Sequence, residues 1–377
     1  MRVLHIFNEI KYSGAEIMYA NAASLFQERG VEMLALNTSK NLGEYAEKFK
    51  INNIEIFHKH LDINEINPLV IYRYYSRIIK FLLDNQIDLI HIHRSKHFLL
   101  FAAAGHKVGI RTIRTVHNNF KHRKLTYPKG VIERFVAKSK YKLVFQSIGE
   151  SVYLNELNYY KNRTIKINNW YDSSRFFPPE NNDEKRNKRQ QLNIKEDSFV
   201  VVSTGGCSHV KNHFDIIKAL NLLKDKGNFT YLHLGEGITC ADEVALAREL
   251  NVLDNIKFLG NRSNVRDYLI AADVYLMPSR FEGLAIAAIE AMAVGLPSVL
   301  YDVPGLKDLI QNNNNGFLIK QDVNELVKAV LELKNNTQLN TKMSASAIAH
   351  VIENYSMIKG VDSIMNLYEG QLKKNLV

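Results

Sequence analysis

The chain has only two cysteines in 377 residues, Cys207 and Cys240. Two thiols build no disulfide framework; they fit a reducing cytoplasm, and both read as inert core thiols. No run of eighteen uncharged apolar residues is present, so a membrane-spanning helix is not expected. The start Met1-Arg2-Val3-Leu4-His5-Ile6-Phe7 reads as a buried strand. A secretory signal needs a longer apolar stretch followed by small residues. No Gly-x-Gly-x-x-Gly follows that strand, which argues against a dinucleotide-binding dehydrogenase, and no Gly-Lys-Ser/Thr completes a Walker A loop. Helix-turn-helix, zinc-finger and stacking-aromatic motifs are missing as well, so nucleic acid is not an expected partner.

What is present is an apolar fraction of 46%, ordinary for a folded enzyme, on a chain long enough for two cores. The net charge of +10 is uneven. Residues 1–170 carry 26 Lys+Arg against 14 Asp+Glu, and residues 171–377 carry 23 against 25. The densest basic part, 111–142, includes Arg111, Arg114, Lys121, Arg123, Lys124, Lys129, Arg134, Lys138 and Lys140. Such a run reads either as a solvated surface or as an attraction for an anionic membrane or polyanionic acceptor, at ~1 kcal/mol per basic residue close to it.

Each half alternates short apolar strands with helical patterns, which predicts parallel sheets with crossover helices. Strands are expected at 2–7, 32–36, 88–92, 112–116 and 142–145, then at 198–203, 230–234, 257–259, 273–277 and 298–300. The polar stretch 178–189 reads as a linker, 312–316 as a turn, and 356–376 as an amphipathic helix. Two doubly wound α/β domains would place the carboxyl ends of both sheets around a cleft between them.

The most informative stretch runs from Ser279 to Ala293. Apolar residues 273–277 end at Pro278, and the alanine-rich run beyond Gly283 reads as a helix stopped by Gly295-Leu296-Pro297. Glu282 then sits in the loop and Glu290 about two turns on. At ~1.5 Å per residue they lie roughly 12 Å apart, too far for an acid/base pair on one bond. That distance suits two ends of one extended ligand, with the helix start between them open to a phosphate.

Two further loops invite anions. Tyr12-Ser13-Gly14-Ala15-Glu16 follows the first strand and opens an alanine-rich helix ending at Gly30. Gly205-Gly206 and Lys211 follow the 198–203 strand, where glycines permit close backbone approach and the lysine supplies a flexible charge. His117 ends the 112–116 strand and can offer a hydrogen bond from a strand's carboxyl end. His91, His93 and His97 raise a metal reading, but no carboxylate or cysteine accompanies them in the sequence, and no metal site is expected.

These residues resemble retaining, nucleotide-sugar-dependent glycosyltransferases of the GT-B fold, the group marked by two glutamates separated by seven residues. The resemblance covers nearly the whole chain and is most specific over 273–297, where Glu282 and Glu290 carry the motif. It also includes Asp88-Leu89-Ile90-His91-Ile92-His93, Thr115-Val116-His117, 167–172, Gly235-Glu236-Gly237 and 303–308. The Glu-Gly-Leu form of the block is similar to enzymes of bacterial capsule, exopolysaccharide and lipopolysaccharide assembly.

The resemblance implies an acceptor domain over 1–175, a donor domain over 176–355 and a final helix, 356–377, packing back toward the first. It implies that Glu282 contacts the donor sugar near its reacting face. Gly283, Leu284 and Ala285 would offer backbone N–H groups to the sugar or diphosphate, and Glu290 would accept the ribose hydroxyls. Lys211 would meet the diphosphate, Arg262 would lie against the base, His117 would hold the sugar, and Gly14, Gly205 and Gly206 would permit close approach. It further implies a metal-independent hexosyltransferase-type enzyme with no cofactor beyond its co-substrate, a UDP-sugar in preference to a GDP-sugar. The acceptor would be a glycan or lipid-linked hydroxyl, and the location the cytoplasm or the inner face of the plasma membrane. A same-fold epimerase and a non-catalytic nucleotide-sugar or glycan binder are the alternatives. Three positions depart from the family pattern: Gly206 replaces an arginine, Ser13 a glycine, and Trp170 a glycine.

Overall fold

The structure, a computed structural model, describes residues 1–117, 127–311 and 313–373. The chain forms two compact units, Met1–Trp170 with Met357–Val377, and Tyr171–Ser356.

The first unit opens with β1 (Arg2–Phe7), α1 (Gly14–Asn21), α2 (Ala23–Glu28), β2 (Glu32–Asn37), α3 (Ala46–Ile51) and β3 (Glu55–His58). It continues through α4 (Pro68–Asp84), β4 (Leu89–Ile92), α5 (Phe98–Lys107), β5 (Arg111–Val116) and α6 (Tyr127–Ser139). Next come β6 (Val144–Ser147), α7 (Glu150–Asn158) and β7 (Ile165–Lys166). The second unit runs α8 (Asn182–Gln191), β8 (Phe199–Thr204), α9 (Phe214–Leu223), β9 (Phe229–Leu234), α10 (Cys240–Glu249) and β10 (Ile256–Gly260). It closes with α11 (Val265–Ala271), β11 (Val274–Met277), α12 (Ile286–Ala293), β12 (Ser298–Tyr301), β13 (Gly316–Ile319), α13 (Val323–Asn335) and α14 (Thr337–Tyr355). The last helix, α15 (Met357–Lys373), belongs to the first unit.

Both sheets are parallel and doubly wound. Their strand orders are β3-β2-β1-β4-β5-β6-β7 and β10-β9-β8-β11-β12-β13. Helices cover both faces of such a sheet, so its central strands are buried throughout, as in β4 and β11, where every residue is buried and His91 of β4 is the one ionisable side chain apart from Tyr275 of β11. The direction of winding reverses between β1 and β4 and again between β8 and β11, and ligands of such folds collect at the carboxyl ends beside the reversal.

The tail helix completes the first core. Val361, Ile364, Leu367 and Tyr368 are buried in one cluster with Val3, Phe7, Phe26 and Trp170. Trp170 stacks edge-on against Tyr19 at 5.3 Å, and α15 passes it at Gly360, where a Cβ would fall 2.3 Å from the indole. The tryptophan that departs from the family pattern is therefore a packing element under α15.

Several expectations need correction. The 178–189 stretch is no linker, because α8 forms there. Asn181 caps it by accepting from the Glu184 N–H, with Asp183 and Glu184 in the first turn and Lys188 and Arg189 in the last. It buries no residue and is held by ion pairs instead: Lys185 and Arg189 to Asp273, and Lys188 to Asp267. The 142–145 strand lies two residues later, as β6. The turn at 312–316 ends in a strand, since Gly316 begins β13; Asn312 lies outside the described residues. The helix after Gly14 is two helices, α1 and α2. The basic run is not all surface: Arg114 is buried with its guanidinium 3.8 Å from the Phe98 ring centre. Arg134 is buried in a two-pronged pair with Glu156. Lys121, Arg123 and Lys124 lie outside the described residues.

Candidate functional site

In the second unit the reversal between β8 and β11 is bridged by one ion pair. Lys211, in the loop after β8, places Nζ 2.7 Å from Glu282 Oε1 in the loop after β11. The lysine stem lies across Gly205 (φ +146), where a Cβ would sit 3.3 Å from Lys211 Cε. Glycine there supplies both the backbone angle and the space. Gly206 is exposed, and a side chain would begin 3.2 Å from the Glu236 carbonyl.

Backbone contacts sew these loops together. The Arg280 N–H donates to the Val210 carbonyl at 2.8 Å. Asn212, buried and left-handed (φ 56), donates to the Pro278 carbonyl and to Asp215. Behind Glu282, Gly305 (φ +84) leaves room for the loop: a Cβ would meet the Glu282 carbonyl at 2.5 Å. The Glu282 N–H donates to the Pro304 carbonyl. Asn212 and Gly305 carry no charge and had no assigned role in the sequence; Asn212 was visible only as the neighbour of Lys211.

Gly283, Leu284 and Ala285 lead into α12, whose start no side chain caps. That leaves the helix's own N–H groups and dipole to face whatever binds there. Glu290 follows in the second turn, half-buried. Burial pushes its carboxyl up to about 8, with Arg175 pulling it down and Asp172 pushing it up. Arg262 is exposed in the loop between β10 and α11, along the same carboxyl edge of the sheet.

In the first unit His117 stands just beyond β5, with Nε2 3.3 Å from His93 Nδ1. Burial lowers it to about 4, helped by Arg114, so it is neutral at pH 7. His93 Nε2 in turn lies 3.0 Å from His5 Nδ1. Of the three histidines of the metal reading, His91 and His93 come together with His5, their ligating atoms within 4.8 Å of one another, and His97 does not join them. Both nitrogens of His91 are taken, by Tyr368 and Thr115 at 2.6 Å each, and His97 turns to Arg94 and the Glu65 carbonyl. Gly14 begins α1, but its helix start already meets a carboxylate. The Ser13 hydroxyl donates to Glu16, whose carboxyl burial raises.

Residues 184–350 match the family described as glycosyl transferases group 1, and residues 12–154 match glycosyltransferase family 4. A relative from Escherichia coli, the UDP-Gal:alpha-D-GlcNAc-diphosphoundecaprenol alpha-1,3-galactosyltransferase, is 26% identical over 305 residues, 77% of each chain. Among solved structures, a glycosyltransferase from Rickettsia africae superposes with a TM-score of 0.86 at 17% identity over 99% of each chain. Anabaena HepE in complex with UDP-glucose gives 0.82 at 19% identity, over 98% of this chain and all of that one. At these identities the structures speak for the fold, GT-B with its two α/β domains.

Proposed function

The chain belongs to the group 1 glycosyltransferases, and on that premise we propose that it is a retaining enzyme transferring a hexose from a UDP-sugar to a lipid-linked glycan hydroxyl. The observation that carries the reading is the Lys211–Glu282 pair across the β8/β11 reversal, beside the uncapped start of α12. A donor laid along that edge meets a cation and a helix dipole at its diphosphate, and a carboxylate at its sugar. Glu290 receives the ribose and Arg262 the base. The names of the E. coli relative and of the HepE complex support UDP as the carrier, and the E. coli name supports a polyprenyl-diphosphate-linked acceptor.

In this reading the bond from the anomeric carbon to the diphosphate oxygen breaks. The acceptor oxygen bonds to the same face of that carbon, and the acceptor's proton passes to the departing diphosphate. Lys211 and the helix start stabilise the leaving charge, so no divalent ion on the diphosphate is needed. Attachment to the inner face of the membrane is part of the proposal: α6 exposes Ile132 and Phe135, with exposed Lys129 one turn before Ile132 and exposed Lys140 just past the helix end, the mix of basic and apolar groups that sits at lipid headgroups. Among the described residues no helix is long and apolar enough to cross a membrane.

The test is incubation with a panel of UDP- and GDP-sugars, with and without polyprenyl-diphosphate acceptors, without added Mg²⁺ or Mn²⁺. Product with retained anomeric configuration is expected with a UDP-sugar. Lys211→Ala and Glu282→Ala should each lower turnover by about 100–1000-fold, the usual loss for one transition-state contact, with circular dichroism unchanged. Wild-type turnover in both sinks the site. Free nucleotide without acceptor would instead mark an epimerase, and donor binding without turnover a binding protein.

A further inference from the structure

Beneath the glycine turn of the second unit four ligating side chains converge. They are Cys207 just after β8, His213 at the start of α9, His233 on β9 and Glu243 in α10. All four are buried, none more than 2% exposed. Their nearest ligating atoms, Cys207 Sγ, His213 Nδ1, His233 Nε2 and a Glu243 carboxylate oxygen, lie within 4.8 Å of one another. His233 Nε2 stands at the centre of three contacts: 2.8 Å to Glu243 Oε2, 3.1 Å to His213 Nδ1 and 3.8 Å to Cys207 Sγ. His213 Nδ1 is 3.5 Å from Glu243 Oε1.

Hydrogen bonding alone serves this arrangement poorly. One ring nitrogen carries at most one proton, so His233 Nε2 can donate to only one of the three groups facing it. If it donates to Glu243, its buried Nδ1 becomes an acceptor with no partner, and that atom has none. His213 Nδ1 must then use Glu243 Oε1 at 3.5 Å, and the Cys207 thiol is left to the Gly235 carbonyl at 3.6 Å. A cation at the centre would take the lone pairs of both imidazoles beside a carboxylate and a thiolate, leaving the His233 proton on Nδ1, the nitrogen that has no partner in either arrangement. With about 2.0–2.3 Å from metal to each ligand, the edges of a tetrahedron are about 3.3–3.6 Å, so the 3.5 and 3.8 Å separations fit and the 2.8 and 3.1 Å ones open by about half an ångström or less on binding. The charges agree as well. One divalent ion with one thiolate, one carboxylate and two neutral imidazoles gives a site of zero net charge, which burial tolerates.

We propose that Cys207, His213, His233 and Glu243 form a structural tetrahedral zinc site. Mixed nitrogen, sulfur and oxygen ligands favour Zn²⁺ over the hard cations Mg²⁺ and Ca²⁺. Four protein ligands close the coordination sphere, so the ion holds structure and leaves no open position for substrate. Thr239 supports it from outside by donating to Glu243 Oε1 at 2.7 Å. Cys207 and Cys240 then differ in kind, and Cys207 is no inert core thiol. Burial raises the Cys207 thiol, so binding must release its proton and should strengthen as pH rises. The clip joins β8, β9, α9 and α10 under the turn that carries Gly206, with Lys211 two residues from a ligand. Its consequence for donor binding rests on the proposed donor site; the metal binding does not.

The full-length protein, stripped by chelator and dialysed, is titrated with Co²⁺ as an optical stand-in for Zn²⁺, and metal content is measured by mass spectrometry after Zn²⁺ loading. One Zn²⁺ per chain and intense tetrahedral Co²⁺ bands with a thiolate-to-cobalt charge-transfer band are expected. C207S should lose the charge-transfer band while circular dichroism stays unchanged, and C240S should keep it. Thr239→Val should keep the band and weaken Co²⁺ affinity by about 10–100-fold. Substoichiometric metal, an octahedral aqua-type spectrum, or a charge-transfer band that survives in C207S would each overturn the assignment. None of these readings depends on transfer activity, so failure of the donor-site reading leaves the zinc test intact.

Discussion

Lys211 and Glu282 neutralise each other at 2.7 Å, both partly exposed. An ion pair of that exposure is worth about 0–1 kcal/mol, so a donor that takes both side chains breaks it at small cost. Each residue was legible by itself, Glu282 from the strand-loop-helix pattern and Lys211 from the glycine turn. Their pairing was not, because 71 positions separate them and only the order of the strands brings them together. Glu290 has a property no sequence pattern carries. Its carboxyl is pushed up to about 8 from an ordinary 4.5, chiefly by burial. Between those values the folded protein holds a proton that the unfolded chain releases, so this group's contribution to stability is greatest below pH 4.5 and is lost as pH rises to 8. Ribose hydroxyls are best accepted by the ionised form. UDP-glucose, a diphosphate diester of constant charge, should therefore bind more tightly as pH rises through 8, by less than about tenfold per unit. Calorimetric titrations across that range should show the slope in the wild type and none in Glu290→Gln. An equal slope in both would remove Glu290 from the ribose.

The strands that formed as expected are those buried on both faces, such as β1, β8 and β11, where runs dominated by apolar residues leave little choice. Those missed are short and lie at the sheet edges: β3 and β7 mix polar with apolar residues, and β13 is apolar but only four residues long behind an asparagine-rich turn. Helix α8 escaped for a related reason: its ten residues bury nothing, so no hydrophobic period marks them, and its caps and ion pairs have meaning only once Asp273 and Asp267 face it. Loop positioning was hidden too. Gly305 carries no chemistry, yet it is the residue that lets the Glu282 loop approach the β12 end. With φ +84 and a Cβ that would meet two backbone carbonyls near 2.5 Å, Gly305→Ala must push that loop aside. A displacement of 1 Å at a reacting group costs on the order of 100-fold. Turnover should fall by about that factor while circular dichroism stays native, and undiminished turnover would show that Glu282 does not need this backbone position.

Across the whole chain the alternation of strand and helix repeats twice, and that repetition made two doubly wound sheets legible without any knowledge of their strand order. Charge divides along the same line, with 26 Lys+Arg against 14 Asp+Glu in residues 1–170 and 23 against 25 beyond. Part of that basic excess is structural, since Arg114 and Arg134 are buried among aromatic rings and Glu156. The other Lys and Arg residues of 1–170 still outnumber its acidic groups, and α6 presents Ile132 and Phe135, 61% and 70% exposed. Coulombic attraction and apolar insertion respond differently to salt. Screening shortens from roughly 30 Å at 0.01 M to 3 Å at 1 M, which removes the first and leaves the second. Sedimentation with anionic phosphatidylglycerol vesicles should therefore show strong binding at low salt and a weakened remainder at high salt. Phe135→Asp should abolish that remainder without altering transfer to a soluble acceptor analogue, because the substitution is on an exposed face of α6. Binding unchanged between low and high salt would mean that the basic half of this chain meets something other than a charged membrane.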